Sequence, residues 1–182
     1  SSSITVNYEK MSLSQLTSYI IATHHSYVKK EMPAILGYLQ KVASKHGGLH
    51  PEMIKVLEIF SAVKNEMEHH MQKEEVILFP RIKETECQLA EGTEIIINNT
   101  YLLSPISMME QEHDYAGSTM AEIRQLTNNY NPPDDACTTY KLSLAALNAF
   151  ELDLHQHVHL ENNIFFPKAL KLFGEPNQCS LN

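Results

Sequence analysis

Two segments of the sequence share a pattern that strongly restricts the fold. HMQKEEVILFPRI (residues 70–82) and HVHLENNIFFPKA (residues 157–169) each place a glutamate four residues after a histidine, then continue with Ile-x-Phe-Pro and a basic residue. Positions four apart lie on the same face of an α-helix. Two such faces turned toward each other would form a site for two metal ions, so the pattern predicts two helices that pack face to face.

Length, charge and cysteine content limit the classes of protein that this sequence can represent. The 182 residues suffice for one domain with a proper core. The formal net charge of −8 argues against nucleic acid or an anionic membrane as the main partner. Cys87, Cys137 and Cys179 are odd in number and widely spaced, which favours neither a disulfide framework nor a cysteine-based zinc site. No signal sequence is visible, and no apolar run approaches the roughly 18 residues of a membrane span. These features predict a cytoplasmic protein without a membrane partner.

Helix start and stop signals divide the sequence into four long helices. Ser12 and Gln15 fit a capping box, Met11 and Leu16 fit the accompanying hydrophobic staple, and Pro51 suits a first helical turn. Gly47 with Gly48, the run NNYNPPDD, and Gly174 with Pro176 separate or end the helices. Cys87 to Leu103 lacks a clean period and is predicted to be a long connection, with or without some local helix. The predicted helices cover residues 12–44, 51–83, 104–128 and 132–173, the third opening at Ser104-Pro105 and the fourth at Pro132 or Pro133.

This succession of helices predicts an all-α, up-and-down four-helix bundle. The domain is expected over residues 12–175, with tails at residues 1–11 and 176–182. Offsets along the chain suggest an internal repeat, since His70 and His157 are 87 residues apart and His25 and His113 are 88 apart. An approximate two-fold axis would then relate the first two helices to the last two. Pro80 and Pro167 are expected to kink or end their helices at equivalent places.

Helical phase separates histidines that face the core from those that face solvent. His70 shares its face with Val63, Met67, Glu74 and Ile77, whereas His69 lies among polar residues. His157 shares its face with Phe150, Leu154, Glu161 and Ile164, and His113 lies among Ile106, Met109, Ala116, Gly117 and Met120. His155 and His159 are predicted to lie at the surface. In the first helix, phase does not discriminate between His24 and His25.

Two further acidic residues and one cysteine leave their roles open at this stage. Glu66 precedes His70 by four residues and Glu112 adjoins His113, so each could line the metal cavity, support a ligand or simply face solvent. Cys137 has no base or partner cysteine nearby in the sequence and is expected to be inert. The methionines and aromatic residues are expected in the core.

The ligand chemistry narrows the choice of metal. Four histidines with two glutamates are richer in nitrogen than the carboxylate-dominated sites of ferritin-like bundles. Such a mixture suits iron, with zinc and manganese as alternatives. If Glu74 and Glu161 both bridge, each metal receives two nitrogens, two carboxylate oxygens and one bridging oxide or hydroxide. One coordination position would then stay open for dioxygen, peroxide or nitric oxide.

Four motifs together resemble the hemerythrin-like domain of the di-iron proteins that repair iron centres, also called iron-sulfur cluster repair proteins. They are HHMQKEEVILFP, SPISMMEQEHDYAG, TNNYNPPDDACTTY and HLENNIFFP, in order over nearly the entire chain. Carried over by position, the resemblance implies that the metal ligands are His25, His70, Glu74, His113, His157 and Glu161. It selects His25 over His24, counting back from Pro33, and favours Glu66 and Glu112 as lining a route to the irons. Family members usually begin with a small paired-cysteine domain, which SSSITVNYEKMSLSQ does not match.

The resemblance implies a function in repairing iron-sulfur clusters damaged by nitric oxide or oxidants, with damaged iron-sulfur proteins as clients. The two irons would serve as a releasable iron source, as a centre that reacts with nitric oxide, or as both. A dioxygen carrier or sensor of the hemerythrin type is an alternative, but that site uses a fifth histidine, for which only His24 and His46 are candidates. A di-iron nitric oxide or peroxide reductase is the third possibility. The oligomeric state stays open.

Overall fold

The computed structural model describes residues 6–92 and 100–173, which are almost entirely helical and contain no β-strand. The first segment comprises α1 (Leu13–Ile20), a π-helical turn (Ile21–His25) and α2 (Ser26–His46). The second comprises α3 (Pro51–Lys73), a π-helical turn (Glu74–Leu78) and α4 (Phe79–Ala90). The third is α5 (Thr100–Leu126), and the fourth comprises α6 (Thr138–Leu160), a π-helical turn (Glu161–Phe165) and α7 (Phe166–Leu170). Short 3-10 turns lie at Tyr8–Lys10 and Lys171–Phe173.

Each of the four segments packs against the next one, and the last returns to the first. α2 contacts both α3 and α6, while α5 contacts α3 and α6. The start of the first segment meets the end of the second, because the Leu13 backbone N–H donates to Glu86 Oε2 over 2.9 Å. The predicted all-α, up-and-down four-helix bundle is therefore confirmed.

The first helix begins as its sequence predicts. The Gln15 backbone N–H donates to Ser12 Oγ over 3.1 Å, and the Ser12 N–H donates to Gln15 Oε1 over 2.9 Å, which completes the capping box. Pro51 opens α3, where its missing N–H costs no helical hydrogen bond. Local chemistry thus sets these helix starts.

Three predicted helix boundaries are wrong. The second helical segment continues to Ala90 rather than Lys83. α5 is already helical at Thr100, so Pro105 lies inside it. Because proline has no N–H to donate to the Tyr101 carbonyl, Arg81 donates to that carbonyl instead, over 3.5 Å. α6 begins only at Thr138, with Cys137 as its N-cap residue.

The late start of α6 has a tertiary cause. Pro133 and the two following aspartates form a turn, in which the Ala136 N–H donates to the Pro133 carbonyl over 3.0 Å. Asp135 is bound by His50 at 2.9 Å instead of capping the helix. The predicted connection at residues 87–103 is helical up to Ala90, and its residues 93–99 lie outside the described part of the chain, as do residues 1–5 and the predicted tail at 176–182.

The π-helical turns shift the helical phase and so correct the predicted core. Ile77 is 44% exposed, whereas the next residue, Leu78, is buried. Ile164 is likewise only half-buried and Phe165 is fully buried. A π-turn adds about one residue to the helical repeat, so the buried position moves from seven to eight residues after each histidine. The two turns end two residues before Pro80 and Pro167 respectively, so the distortion does fall at equivalent places, although the helices continue beyond it.

The apolar core consists of two clusters, separated by a layer of polar side chains. One cluster includes Met67, Ala116 and Leu154, and the other includes Leu78, Met109 and Leu160. In the third and fourth segments, the candidate histidine lies between a residue of one cluster and a residue of the other. A fully buried polar layer across the middle of the bundle results. The side chain of Ile54 is 45% exposed and lies over Gly47, the residue that follows α2.

Candidate metal centre

Six candidate ligands from all four helical segments meet in this polar layer. His25 ends the first π-turn, Glu74 begins the second and Glu161 begins the third, while His70, His113 and His157 lie on α3, α5 and α6. All six are almost completely buried. They form two groups whose ligand atoms lie within 4.8 Å of one another: His25, His157, Glu74 and Glu161; and His70, His113, Glu74 and Glu161.

Each glutamate presents one oxygen to each group. Glu74 Oε2 lies 3.2 Å from His25 Nε2, and Glu74 Oε1 lies 3.4 Å from His70 Nε2. Glu161 Oε1 lies 2.8 Å from His157 Nε2, and its Oε2 lies 2.9 Å from His113 Nε2. Both carboxylates therefore have the placement that a bridging ligand between two cations requires.

The outward-facing nitrogens of three histidines have hydrogen-bonding partners. His25 Nδ1 lies 2.8 Å from Glu75, His70 Nδ1 lies 2.8 Å from Glu112, and His113 Nδ1 lies 2.7 Å from Asn162. Such contacts orient the rings and direct Nε2 inward, as is usual for metal-binding histidines. Lys29 binds Glu75 over 2.7 Å, and Lys73 binds Glu112. Polar side chains thus hold three of the four candidate histidines in place, whereas His157 Nδ1 is buried without such a partner.

Sequence reasoning missed Glu75 and Asn162, although the repeat carries a signal for them. Each directly follows the shared glutamate of its repeat, in HMQKEE and HVHLEN, and each contacts a histidine from another segment. Adjacent residues on a helix point in directions about 100° apart, so the pair Glu-Glu or Glu-Asn can serve two histidines at once. The second residue of such a pair is therefore a recognisable part of the pattern.

The buried charges shift several pKa values in opposite directions. Burial alone would lower the pKa of His70, but the neighbouring carboxylates of Glu74, Glu161 and Glu112 raise it to about 9. The pKa values of His25 and His113 are raised in the same way against burial, mainly by Glu74 and Glu161 respectively. Burial works to raise the pKa of Glu161, yet His157 and His113 hold it well below its usual range. The two buried carboxylates thus favour the protonated form of the neighbouring His25, His70 and His113 imidazoles, and a bound cation would compete with those protons.

The inward-facing atoms fit a pair of metal ions better than a hydrogen-bonded core. His25 Nε2, both carboxylate oxygens of Glu74 and Glu161 Oε2 are buried without a partner of hydrogen-bonding geometry. Buried polar atoms normally have such partners, and leaving them without one costs free energy. Two groups of two imidazole nitrogens and two carboxylate oxygens suit iron, zinc or manganese. The residues present therefore fit metal binding.

One cavity reaches the His70 side of this site from the surface. It has a volume of about 440 Å³ and is lined by Glu66, His70, Glu112, Ala116 and five other residues. Glu66 is an exposed wall residue, whereas Glu112 is half-buried and contacts His70. Of the two small residues near His113, Ala116 lines this cavity and Gly117 does not.

The remaining histidines lie outside the two groups. His69, His155 and His159 are exposed, as predicted. His24 is buried beside the site, with Nδ1 3.0 Å from Asp153. His46 Nε2 lies 3.2 Å from Cys137 Sγ, which corrects the expectation that Cys137 has no base nearby. Neither His24 nor His46 therefore belongs to a metal-binding group among the described residues.

A four-helix bundle whose central layer holds two histidine pairs and two shared glutamates defines the hemerythrin-like class of metal-binding domains. Comparison with known families agrees, because the Hemerythrin HHE cation binding domain matches residues 16–169. The chain belongs to this family. Relatives called "Iron-sulfur cluster repair protein YtfE" from Yersinia pseudotuberculosis serotype IB (strain PB1/+) and Yersinia pestis (strain Pestoides F) are each 35% identical over 172 residues. The match covers 91% of this chain and 69% of each relative. No helix among the described residues is long and apolar enough to cross a membrane.

Proposed function

We propose that this domain, over residues 12–175, repairs iron-sulfur clusters damaged by nitrosative or oxidative stress. Its centre would hold two irons with a bridging oxide or hydroxide, bound by His25, His70, His113, His157 and the shared Glu74 and Glu161. The observation that carries the proposal is the position of each glutamate, with one oxygen toward each histidine pair. The names of its 35% identical relatives supply the cluster-repair function.

The protein's own residues have three tasks in this function. The six ligands bind and position the iron, and Glu75, Glu112 and Asn162 orient three of the histidines. The cavity beside His70 connects the centre to solvent, with Glu66 and Glu112 as acidic wall residues that suit the passage of a cation. When bound, iron supplies a redox-active cation with room for a small ligand such as nitric oxide or dioxygen. Damaged iron-sulfur proteins would be the clients that receive iron.

The decisive test combines metal analysis with a repair assay. Protein purified without oxygen should contain about two irons per chain and restore activity to an iron-sulfur enzyme whose cluster has been damaged by nitric oxide. His70→Ala and Glu161→Ala should lose iron and repair activity together, since His70 serves one metal position and Glu161 both. His69→Ala, which changes the exposed neighbour of His70, is the matched control and should behave as the unmodified protein.

Several outcomes would reject the proposal. Iron content unchanged in both variants would reject the site, and iron-loaded protein that neither restores the damaged enzyme nor reacts with nitric oxide would reject the function. Sustained consumption of nitric oxide with an added electron donor, without repair, would identify a reductase. A stable and reversible oxygenated spectrum would identify a dioxygen carrier.

A further inference from the structure

The cavity beside His70 has a counterpart in the internal repeat, and the two differ in what fills them. The offsets of 87 and 88 residues relate each wall residue to one near His157. Val63 corresponds to Phe150, and Glu66 corresponds to Asp153. Glu112 corresponds to His24, and Ala116 corresponds to Val28. Equivalent side chains thus surround His70 on one side of the centre and His157 on the other.

On the His157 side, the two polar wall residues bind each other. His24 Nδ1 lies 3.0 Å from Asp153 Oδ1, whereas the equivalent Glu112 and Glu66 carry charges of the same sign and cannot pair. The His24 side chain is 5% exposed and that of Asp153 17%, compared with 28% for Glu112. The His24 ring also stacks on the ring of His157, with centroids 5.1 Å apart and planes within 6°. The pair thus covers His157.

The apolar wall residues are larger on the same side. Phenylalanine at position 150 replaces Val63, and valine at position 28 replaces Ala116; Phe150 and Val28 are both buried. The Phe150 ring packs against Tyr27, with centroids 6.5 Å apart. These larger side chains leave less free volume at this place than Val63 and Ala116 leave in the cavity of about 440 Å³ beside His70.

A second approach to the His157 side ends before it reaches a ligand. A cavity of about 360 Å³ is lined by Tyr8, His24, Gln156, His159, Leu160 and Ile164. Its lining includes His24 but none of the six candidate ligands, whereas the cavity on the opposite side is lined by His70 itself. Among the described residues, a cavity thus gives solvent a direct path to His70, whereas the His24–Asp153 pair covers His157.

We propose that the two metal positions differ in exchange: the His70/His113 position releases and accepts metal through its cavity, and the His25/His157 position retains metal because the His24–Asp153 pair closes the equivalent path. This inference rests on the proposed two-metal centre. The physical reason is access, since a bound ion leaves only when water or an incoming ligand can replace its protein ligands. One ion would be available to a client while the other keeps the site assembled.

The test measures how fast iron leaves. Protein loaded with ferrous iron in the absence of oxygen is mixed with excess ferrozine, and formation of the coloured complex is followed over time. We expect two phases of about one iron per chain each, with rate constants that differ at least tenfold. A single phase that accounts for both irons would overturn the inference.

Reciprocal substitutions assign the two phases. Val63→Phe with Ala116→Val copies the closed side onto the open one and should slow the fast phase at least tenfold; Ala116→Val alone tests the same point with less disturbance of the core. Asp153→Ala should open the closed side and accelerate the slow phase at least tenfold, while Asp153→Asn, which keeps the shape, should accelerate it less. Gly117→Ala, with open space around its added carbon, and Asp114→Ala, at an exposed position, are the matched controls.

The outcomes separate this inference from the proposed function. Equal slowing of both phases by the cavity-filling changes, or an unaltered slow phase in Asp153→Ala, would overturn the inequivalence. Two-phase release from protein that repairs no damaged enzyme would reject the repair function and leave the inequivalence standing. Repair by protein that releases both irons in one phase would support the repair function and reject the inequivalence.

Discussion

The imidazole rings of His24 and His157 lie parallel, with centroids 5.1 Å apart, although His24 and its neighbour His25 are both buried in the same π-turn. His25 directs Nε2 toward Glu74 at 3.2 Å, whereas His24 directs Nδ1 toward Asp153 at 3.0 Å. Adjacent histidines therefore have different roles, one within a ligand group and one packed against it.

Substituting these two histidines separately should show this division. His25→Phe removes a nitrogen from one group, so we expect the iron content to fall by about one or more per chain. His24→Phe keeps a ring against His157 and should retain close to the full iron content. Iron per chain, measured by elemental analysis after reconstitution without oxygen, tests both. Equal loss of iron in the two variants would show that His24 is itself a ligand.

Phe150 should contribute strongly to the stability of the apolar core. It is fully buried and packs edge-to-face on Phe60, with ring centroids 5.4 Å apart. Truncation of a buried phenylalanine typically costs about 3–5 kcal/mol, so Phe150→Ala should lower the free energy of unfolding by that amount in urea titrations of the metal-free protein. Leu152→Ala, two residues away and 57% exposed, is the control and should change it by less than about 0.5 kcal/mol. Similar losses in both would contradict the assigned burial.

Tyr130 should stabilise the end of the bundle through Glu151. Its hydroxyl donates to Glu151 Oε2 over 2.6 Å, and Glu151 is itself buried. Leaving a buried polar group without its partner costs about 1–3 kcal/mol, which is the loss we expect for Tyr130→Phe at pH 7. Tyr115→Phe, at a half-exposed position, should have little effect in the same urea titration.

The same tyrosine should make the protein sensitive to alkali. Burial, together with the bond to Glu151 and its charge, raises the pKa of Tyr130 well above its ordinary value of 10.0. An unfolded chain would lose this proton near pH 10 while the folded chain keeps it, so the contribution to stability is complete below pH 10 and falls as the pH rises further. The free energy of unfolding should therefore decline less steeply above pH 10 in Tyr130→Phe than in the unmodified protein. An identical decline in both would be evidence against this assignment.

Cys87 should react slowly with disulfide reagents because of Glu91. The negative charge of Glu91 and a contact of 3.6 Å from Sγ to Oε1 raise the pKa of the exposed Cys87 thiol. Since the thiolate is the reactive form, Glu91→Gln should increase the rate of reaction with 5,5′-dithiobis(2-nitrobenzoate) near pH 8. The difference should disappear at a pH high enough to ionise the thiol completely. The rates are best compared in a background in which Cys137 and Cys179 are serine.

A matched substitution on the same helix controls for a general change in charge. Glu84→Gln removes an exposed carboxylate three residues before Cys87. This carboxylate accepts a hydrogen bond from Gln88 Nε2 over 3.3 Å. It should alter the rate much less than Glu91→Gln does. Equal acceleration by both would indicate a general electrostatic effect and not the specific contact with Glu91.

The repeated His-x-x-x-Glu pattern is sufficient to predict much of the candidate site because its information is local. Residues four apart share a helix face whatever the rest of the chain does, so the spacing alone pairs His70 with Glu74 and His157 with Glu161. Local chemistry also predicts the capping box at Ser12 and the proline at the start of α3. The acidic partner of His70, Glu112, comes from another segment, so the sequence can suggest it but cannot assign it.

Features that depend on several segments are outside the reach of periodicity. A regular period of 3.6 residues cannot anticipate a π-turn, so it places Ile77 and Ile164 inside while Leu78 and Phe165 are the buried residues. Sequence signals also place the start of α6 too early. Asp135 does not cap the helix because it binds His50, which lies in a different loop.

The linear order of residues was enough to specify a bundle of amphipathic helices with paired histidines and glutamates, because helix formation and helical facing are properties of short stretches of chain. The packing of the four segments settled the rest: which of His24 and His25 faces Glu74, that each glutamate places one oxygen near each of two histidine pairs, and that a cavity is lined by His70 while the His24–Asp153 pair covers His157. Those features follow from side chains that are distant in sequence and adjacent in space, such as His24 with Asp153, and their distances are set only when the helices pack.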